Sequence, residues 1–282
     1  MTKFIGSLEN KDIAKVVMFG APFDSTASFR PGARFAPEEI FKNSYSIETY
    51  SPYLDRGLET DASFYDDGAL ELPFGSCEAA LKLIEEKTKE IILQNKLPLM
   101  LGGEHLVTLG AVRALAKKYD DLHIVHLDAH ADLRDDYLGA KLSHATVLRR
   151  VWEIVGDDKI YQSGIRSGEK SEFDFAKTHT NLHKFNLKNT DEICEKLTEK
   201  PVYLTLDLDV LDPSNLPGTG TPEAGGVSFE ELRVSLDKFL KLNIVGLDLV
   251  ELAPNLDSSG ASTSLVIKLI REIILQLGAK NE

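Results

Sequence analysis

Short apolar runs alternate along this chain with longer amphipathic stretches, and this alternation limits the possible folds more than any other feature. The runs are nearly continuous in branched and apolar residues, which is typical of parallel strands that are buried on both faces. They lie at 16–22, 97–105, 123–130, 159–166, 183–187, 201–210 and 244–252. Strands that alternate with helices predict parallel βαβ units, and therefore an open α/β sheet flanked by helices.

Three of the amphipathic stretches predict helices clearly. Residues 78–94 space their apolar side chains three and four positions apart, and residues 264–278 are strongly apolar. In residues 227–242, Ser228 is followed three positions later by Glu231, which is the capping-box pattern of a helix start. Because no linker, repeat or low-complexity segment divides the sequence, we expect all 282 residues to form a single domain.

The composition narrows the range of partners and locations. A formal net charge of −13 argues against nucleic acid or an anionic membrane as partner, and it fits a cationic ligand. The two cysteines, Cys77 and Cys194, are far apart, which indicates free thiols in a reducing compartment. The N-terminal sequence lacks the apolar segment of a secretory signal, and no stretch approaches the roughly 18 apolar residues of a membrane span. We therefore expect a cytoplasmic protein.

Ionisable side chains collect at the carboxyl ends of the predicted strands, where open α/β sheets bind their ligands. The sequence Asp-Ala-His-Ala-Asp follows one apolar run at 128–132, Asp-Leu-Asp ends another at 207–209, and His105 ends a third. In extended chain, alternate residues point to the same side, so each set converges if the strand geometry persists. Since unpaired buried charge is costly, this collection of groups indicates a metal cluster.

The composition of the cluster favours two ions of a particular kind. Two imidazoles and four carboxylates are too many ligands for one ion but suit a pair about 3.5–4 Å apart that share a bridging water or hydroxide. Oxygen-rich ligation favours Mn²⁺ over zinc. A single Asp-x-Asp is more often a solvated turn, and a lone histidine at a strand end is more often structural, but the three sets together favour metal. His126 shares the parity of the cluster, and we expect a core histidine there, with a contact to the metal ligands as the alternative.

Seven motifs, in this order along nearly the whole chain, resemble those of the ureohydrolase family of arginases and agmatinases. The motifs are GAPFDSTASFRPGARFAPEEI (20–40), GGEH (102–105), DAHADL (128–133), SHATVLRRV (143–151), GIRS (164–167), LDLDVLDPSNLPGTGTPEAGG (206–226) and DLVEL (248–252). The resemblance implies a three-layer αβα fold around an eight-stranded parallel sheet, two Mn²⁺ ions, and hydrolysis of a guanidinium group to urea. The positions that match the family's six metal ligands are His105, Asp128, His130, Asp132, Asp207 and Asp209.

The resemblance also implies roles for three further residues. Glu251 matches the carboxylate that holds the guanidinium, His144 the histidine that shuttles protons, and Thr221 a threonine that lines the site. These roles are chemically reasonable: a carboxylate accepts two parallel N–H bonds from a guanidinium, water between two dications loses a proton readily, and a histidine can protonate the leaving amine. In isolation, a salt bridge for Glu251 and a helix N-terminal cap for His144 are the alternatives.

The loop at 133–145 bears on the substrate. It lacks the Ser-Gly-Asn segment and the His-Gly pair of arginases and resembles the loop of bacterial agmatinases. We therefore expect agmatine, cleaved to putrescine and urea, with its ammonium near carboxylates such as Asp135, Asp136 or Glu169. The alternative is another guanidine, either 4-guanidinobutyrate or arginine. The carboxylate of 4-guanidinobutyrate needs a cation at its far end, and Arg134 or Lys141 could serve.

Two other classes of protein stay open at this stage. A metal-dependent deacetylase of related fold uses a single zinc with fewer carboxylates, and a non-catalytic metal-binding scaffold would lack a ligand or the histidine at 144. The full ligand set argues against both. The resemblance further implies a homo-oligomer, either a trimer or a hexamer.

Overall fold

The computed structural model describes residues 2–279, which form ten strands and nine α-helices. The strands are β1 Val16–Ala21, β2 Tyr50–Ser51, β3 Arg56–Gly57, β4 Phe64–Ala69, β5 Leu97–Gly102, β6 His123–Leu127, β7 Ile160–Ile165, β8 Asn181–Lys184, β9 Val202–Asp207 and β10 Ile244–Val250. The helices are α1 Ala36–Asn43, α2 Leu58–Asp61, α3 Cys77–Leu93, α4 Thr108–Ala116, α5 Val147–Val155, α6 Lys170–His179, α7 Thr190–Lys196, α8 Phe229–Phe239 and α9 Ala261–Leu277.

Eight of these strands form one parallel sheet, in the order β4-β1-β5-β10-β9-β6-β7-β8, while β2 and β3 form a small antiparallel ribbon. Helices α1, α7, α8 and α9 pack on one face of the sheet, and α3 to α6 pack on the other. Each face has its own buried apolar core, because every strand in the middle of the sheet presents branched side chains on both sides. The predicted three-layer αβα architecture is confirmed.

The apolar runs located seven of the eight sheet strands but missed β4. Its sequence, FYDDGA, has no continuous apolar run, because β4 is an edge strand that pairs on one side only. The run at 183–187 overlaps only the end of β8. The predicted capping box is present: the Ser228 hydroxyl accepts the Glu231 N–H, and the Glu231 carboxylate accepts the Ser228 N–H.

The four central strands, β5, β10, β9 and β6, end at the same level of the sheet. In their registers, Leu101 is level with Leu249, Val250 with Asp207, and Leu206 with Leu127. The residues that follow these strands therefore meet at one edge, which is where parallel sheets place their ligands. Among residues 2–279, no helix has the length and apolar character that crossing a bilayer requires.

Candidate metal centre and active site

His105 lies at the centre of three carboxylates after β5. Its Nδ1 is 3.1 Å from Asp128 Oδ2, 3.2 Å from Asp132 Oδ2 and 3.2 Å from Asp207 Oδ2, and all four side chains are buried. Nδ1 has no hydrogen-bond partner among the described residues. Burial alone lowers the pKa of His105, but the carboxylates outweigh it and hold this pKa well above its ordinary value. Three buried carboxylates around His105 Nδ1 therefore favour a positive charge between them.

His130 forms the centre of a second group of candidate ligands. Its Nδ1 is 3.0 Å from Asp209 Oδ2 and 3.5 Å from Asp128 Oδ1. Asp209 Oδ2 is buried and has no hydrogen bond to the described part of the chain. Asp128 belongs to both groups, with Oδ2 facing His105 and Oδ1 facing His130. The six predicted ligands are therefore together in the structure, arranged as two overlapping groups.

The hydrogen bonds behind His105 leave its Nδ1 free for a cation. The Thr205 hydroxyl donates to Asp248 at 2.7 Å, so it accepts from His105 Nε2 at 2.9 Å. Asp248 also accepts from the Thr108 and Tyr203 hydroxyls at 2.8 and 2.5 Å. With the ring proton of His105 on Nε2, the lone pair of Nδ1 faces the carboxylates. An imidazole lone pair and several carboxylate oxygens directed at one point fit a divalent cation.

His126 contacts the ligands and is more than a core histidine. Its Nε2 lies 2.7 Å from Asp128 Oδ2, and its Nδ1 lies 3.0 Å from the Gln162 amide nitrogen. That amide nitrogen also donates to the Ala131 carbonyl, and the Gln162 oxygen accepts from Thr180 at 2.9 Å. The amide orientation places the ring proton of His126 on Nε2, directed at Asp128. The alternative that we left open for His126, a contact to the metal ligands, is the one present.

The candidate ligands converge, although the strand geometry does not persist through them. Strand β6 ends at Leu127, and Asp132 has a left-handed backbone with φ 54°. Asp209 lies in a single 3-10 turn after β9, where its N–H donates to Asp207 Oδ1 at 2.8 Å. Glu251 also has a left-handed backbone, with φ 67°. Such conformations are sparsely populated for residues other than glycine, and they occur often at functional sites.

A cavity of about 220 Å³ opens beside the ligands. The four side chains predicted to act on or bind substrate are among the residues that line it. The lining residues are Ser28, His130, Ala131, Asp132, Arg134, Tyr137, His144, Ala145, Ser167, Gly168, Glu169, Glu172, Asp207, Thr221 and Glu251. The structure therefore places Glu251, His144, Thr221 and Glu169 at one site, and their roles stay predictions.

Glu251 has no basic partner among residues 2–279, so the salt-bridge alternative does not hold there. Its Oε1 accepts the His105 backbone N–H at 2.8 Å. Burial raises the pKa of Glu251 to about 8, and the nearby Glu104 adds to this shift. Glu104 is itself buried and accepts from Thr26 through the backbone N–H and the hydroxyl. A buried carboxyl without a cation beside it is a natural position for a cationic group of a ligand.

His144 is held by hydroxyl groups on both ring nitrogens. Nε2 lies 3.1 Å from Ser28 Oγ, and Nδ1 lies 3.2 Å from Ser143 Oγ. Burial lowers the pKa of the His144 imidazole to about 4, and the neighbouring His130 adds to this shift. Ser143 and Thr146 form the capping box of the helical segment here, so the cap is not supplied by His144. The ring is therefore neutral at neutral pH and available for proton transfer.

The charged residues near the outer end of the cavity differ from expectation. Glu169 lines the cavity, but its carboxylate is bonded to Arg134 at 2.8 Å. Asp135, Asp136 and Lys141, also considered as contacts for the far end of a substrate, are not among the lining residues.

Sequence reasoning missed several residues that support the site. Thr205 carried a usable signal, because it precedes Asp207 by two positions on β9 and so shares its side of the strand. Ser28, Tyr137 and Gln162 are polar residues in a loop or strand and carried no comparable signal. Arg30 also supports this region, because its guanidinium donates to the carbonyls of Thr219 and Gly220.

The fold is of the three-layer αβα class, with candidate metal ligands at one edge of its sheet, and comparisons with known proteins specify the family. Residues 14–276 match the profile of the Arginase family. An agmatinase from Bacillus cereus is 47% identical over 96% of this chain and 95% of its own length. A guanidinobutyrase from Pseudomonas aeruginosa is 32% identical over 94% of this chain and 87% of its own.

A solved structure agrees with these matches. The agmatine ureohydrolase of Thermoplasma volcanium superimposes with a TM-score of 0.89 and 34% identity, covering 98% of this chain and 94% of the other. This chain belongs to the arginase family.

Proposed function

We propose that this protein is a binuclear manganese hydrolase that cleaves agmatine to putrescine and urea. One observation carries the proposal: a single cavity is lined by a buried unpaired carboxyl (Glu251), a neutral histidine (His144) and the metal-ligand candidates His130, Asp132 and Asp207. The names of the Bacillus cereus and Thermoplasma volcanium relatives support agmatine as substrate.

Two ions fit the ligand set better than one. Two imidazole-centred groups share Asp128, and each contains carboxylate oxygens within 3.5 Å of its imidazole nitrogen. Mainly oxygen ligands with a minority of imidazole favour Mn²⁺. When bound, two such ions supply a water acidic enough to lose a proton near neutral pH.

Glu251 orients the substrate. The His105 backbone N–H holds Oε1, and the remaining lone pairs of the carboxylate can accept two N–H groups of a guanidinium in one plane. The charge of the guanidinium offsets the burial and the neighbouring Glu104 that raise the pKa of Glu251, so binding of the cation ionises the carboxyl. The guanidinium carbon is thereby held beside the ligand cluster, which favours attack on it.

His144 takes up a proton released during attack and passes it to the departing amine. Because its pKa is about 4, the neutral ring accepts a proton first and acts as an acid only afterwards. The proton that it takes up during attack can pass to the departing amine, which must leave as a neutral or protonated species. The contacts with Ser28 and Ser143 keep the ring plane fixed during both steps.

A second candidate, hydrolysis of 4-guanidinobutyrate, has its own support. Arg134 lines the cavity and is a cation that a carboxylate could reach, and the Pseudomonas aeruginosa relative is a guanidinobutyrase. We favour agmatine because two carboxylates, Glu169 and Glu172, flank this single arginine.

Urea release from agmatine, arginine and 4-guanidinobutyrate, each added to Mn²⁺-loaded enzyme, tests the proposal. We expect the highest kcat/KM with agmatine and two manganese ions per chain by elemental analysis. Glu251→Gln preserves the contact with the His105 N–H, so it should retain manganese while kcat/KM falls roughly a hundredfold or more, as expected for loss of charge-assisted hydrogen bonds. Faster release from another guanidine would reassign the substrate, and no release with both ions bound would contradict hydrolysis.

Three coarser expectations accompany this proposal: a single domain, a homo-oligomer of three or six chains, and a cytoplasmic location. The single eight-stranded sheet that both cores share supports the first. The second rests on the resemblance to the family. Light scattering of the purified protein would give the number of chains, and a monomer would contradict the second expectation.

A further inference from the structure

The loop that follows β1 contacts His144 at two points. The Thr26 hydroxyl oxygen accepts the backbone N–H of His144 at 3.1 Å, and Ser28 Oγ lies 3.1 Å from Nε2 of the ring. Residues 22–32 lie between β1 and the 3-10 turn Ala33–Phe35, outside the regular elements. Such a loop is mobile unless other contacts hold it, so the position of His144 depends on what fixes this loop.

Glu104 fixes the loop from the end of β5. Its side chain is fully buried, and its carboxylate accepts from Thr26: the backbone N–H lies 3.1 Å from each oxygen, and the hydroxyl lies 2.7 Å from Oε1. The backbone N–H of Glu104 donates to the Phe23 carbonyl at 2.7 Å. Because the single proton of the Thr26 hydroxyl goes to Glu104, a lone pair of that hydroxyl is free to accept the His144 N–H. The Thr26 hydroxyl therefore joins Glu104 to His144.

The same short segment also anchors the carboxyl that is proposed to hold the substrate. His105, which directly follows Glu104, donates its backbone N–H to Glu251 Oε1 at 2.8 Å. The Gly103 carbonyl accepts the Glu251 N–H at 2.9 Å. Residues 103–105 thus hold Glu251 on one side and the loop against His144 on the other. The distance between a guanidinium on Glu251 and the proton-accepting ring is set here, and small errors in such a distance are costly to the rate.

We propose that Thr26 is a positioning residue of the reaction, which holds His144 in place relative to the bound guanidinium by joining it to Glu104. This inference rests on the proposed guanidine hydrolysis and deepens it. Thr26 is not among the residues that line the active-site cavity, so it acts on the reaction through His144 and not by contact with the substrate.

A purely structural role for the Thr26 hydroxyl would give a different result in a variant that lacks the imidazole. If the hydroxyl only holds the loop to the sheet, its removal disturbs the site whether or not the ring is present. In His144→Asn, the backbone N–H at position 144 still faces Thr26, so the structural contact remains while the group that transfers the proton is gone. A hydroxyl that acts through the ring then has nothing left to position.

The experiment is a double-mutant cycle on agmatine hydrolysis, with Thr26→Val and His144→Asn made alone and together. Thr26→Ala repeats the cycle with a smaller side chain, and Thr26→Ser keeps the hydroxyl. Thr190→Val is the matched control, because Thr190 is buried, its hydroxyl donates to the Leu187 carbonyl at 2.6 Å, and it does not line the cavity. Urea release at saturating Mn²⁺ gives kcat and KM, and calorimetric titration gives the Mn²⁺ affinity.

We expect Thr26→Val and Thr26→Ala to lower kcat roughly 10- to 100-fold, the scale for a displaced catalytic group, while KM and Mn²⁺ affinity change less than about threefold. Thr26→Ser should restore kcat to within about threefold of the wild type, because the hydrogen bond is kept. In the His144→Asn background, removal of the hydroxyl should lower the remaining rate less than about twofold. Thr190→Val should leave kcat and KM unchanged.

Three results would overturn the positioning role and leave the proposed function standing. They are equal fold losses with and without the imidazole, no recovery of kcat in Thr26→Ser, and an unchanged kcat in Thr26→Val. Absence of urea from every guanidine with the wild-type enzyme would overturn the proposed function and the positioning role with it.

Discussion

Replacing Thr205 by valine tests the hydrogen bonds that orient His105. Thr205 is fully buried, and its hydroxyl connects His105 Nε2 to Asp248 through contacts of 2.9 and 2.7 Å. Valine keeps the branched shape and removes the hydroxyl. Among the described residues, the ring N–H of His105 then has no acceptor, and Asp248 keeps only the donors at its Oδ2, the hydroxyls of Thr108 and Tyr203.

The expected effect has two parts. A buried polar group without a partner costs about 1–3 kcal/mol, and Asp248 also loses a charge-assisted bond, so the metal-free protein should lose about 2–4 kcal/mol of stability. Loss of the hydrogen bond that fixes a histidine ligand weakens metal binding about 10- to 100-fold. At saturating Mn²⁺, that weakening removes a further ~1.4–2.8 kcal/mol of stabilisation by the metal.

Urea unfolding with and without Mn²⁺, together with calorimetric titration of Mn²⁺, separates the two parts. Thr88→Val is the matched control, because Thr88 is equally buried in α3 and its hydroxyl has no hydrogen-bond partner within residues 2–279. We expect Thr88→Val to be neutral or slightly stabilising. Unchanged Mn²⁺ affinity in Thr205→Val would refute the assignment of the His105 ring proton to Nε2.

Three further predictions test other contacts. His126→Phe should weaken Mn²⁺ binding, while His126→Gln, which keeps a donor toward Asp128, should retain most of it; equal losses measured by calorimetry would contradict the role of that donor. The folded-state pKa of His144, about 4, lies below its ordinary value of 6.5, so the unfolded chain binds the proton first and stability falls as pH decreases through this window. Urea unfolding of metal-free protein should therefore depend less on pH between 6.5 and 4 in His144→Asn than in the wild type, and equal slopes would contradict this reasoning. Gly103→Ala would place a Cβ 1.9 Å from the Phe23 carbonyl oxygen, so we expect a loss of about 3 kcal/mol or more, and an unchanged urea midpoint would exclude this close approach.

The sequence predicted those strands that are buried on both faces, because burial on both faces requires apolar side chains at nearly every position. Strands in the middle of the sheet, such as β6 and β9, are buried at every position, and their apolar runs are nearly unbroken. The edge strand β4 is only partly buried and contains two adjacent aspartates, so its pattern is that of a loop. Periodicity reports burial, and it therefore missed the partly buried β4 and overlapped only the end of β8, the other edge strand.

The sequence predicted which residues the structure brings together, but not the backbone geometry that does so. The alternate spacing in 128–132 suggested that an extended chain brings the candidate ligands together. In the structure, Asp132 itself has a left-handed backbone. The strands that precede the candidate ligands end at one level of the sheet. The position of these residues directly after the strands therefore predicts that they lie close together. The backbone path beyond a strand end depends on tertiary contacts, such as the Leu148 N–H donating to the Asp132 carbonyl at 3.0 Å, and no local pattern encodes those.

The least predictable part of the site is the layer of neutral polar groups that fixes the ligands. A threonine or glutamine in a buried strand has the same signature whether it packs passively or orients a ligand. Thr205 orients the candidate ligand His105, and Gln162 orients His126, which contacts the candidate ligand Asp128. Each of the two has its own hydrogen-bond capacity taken up by a second group, Asp248 in one case and the Ala131 carbonyl in the other. That second contact decides which ring nitrogen carries the proton, and thereby which atom faces a cation. Local sequence therefore predicts which residues are candidate ligands. Their orientation depends on contacts between strands that are distant in sequence and adjacent in the sheet.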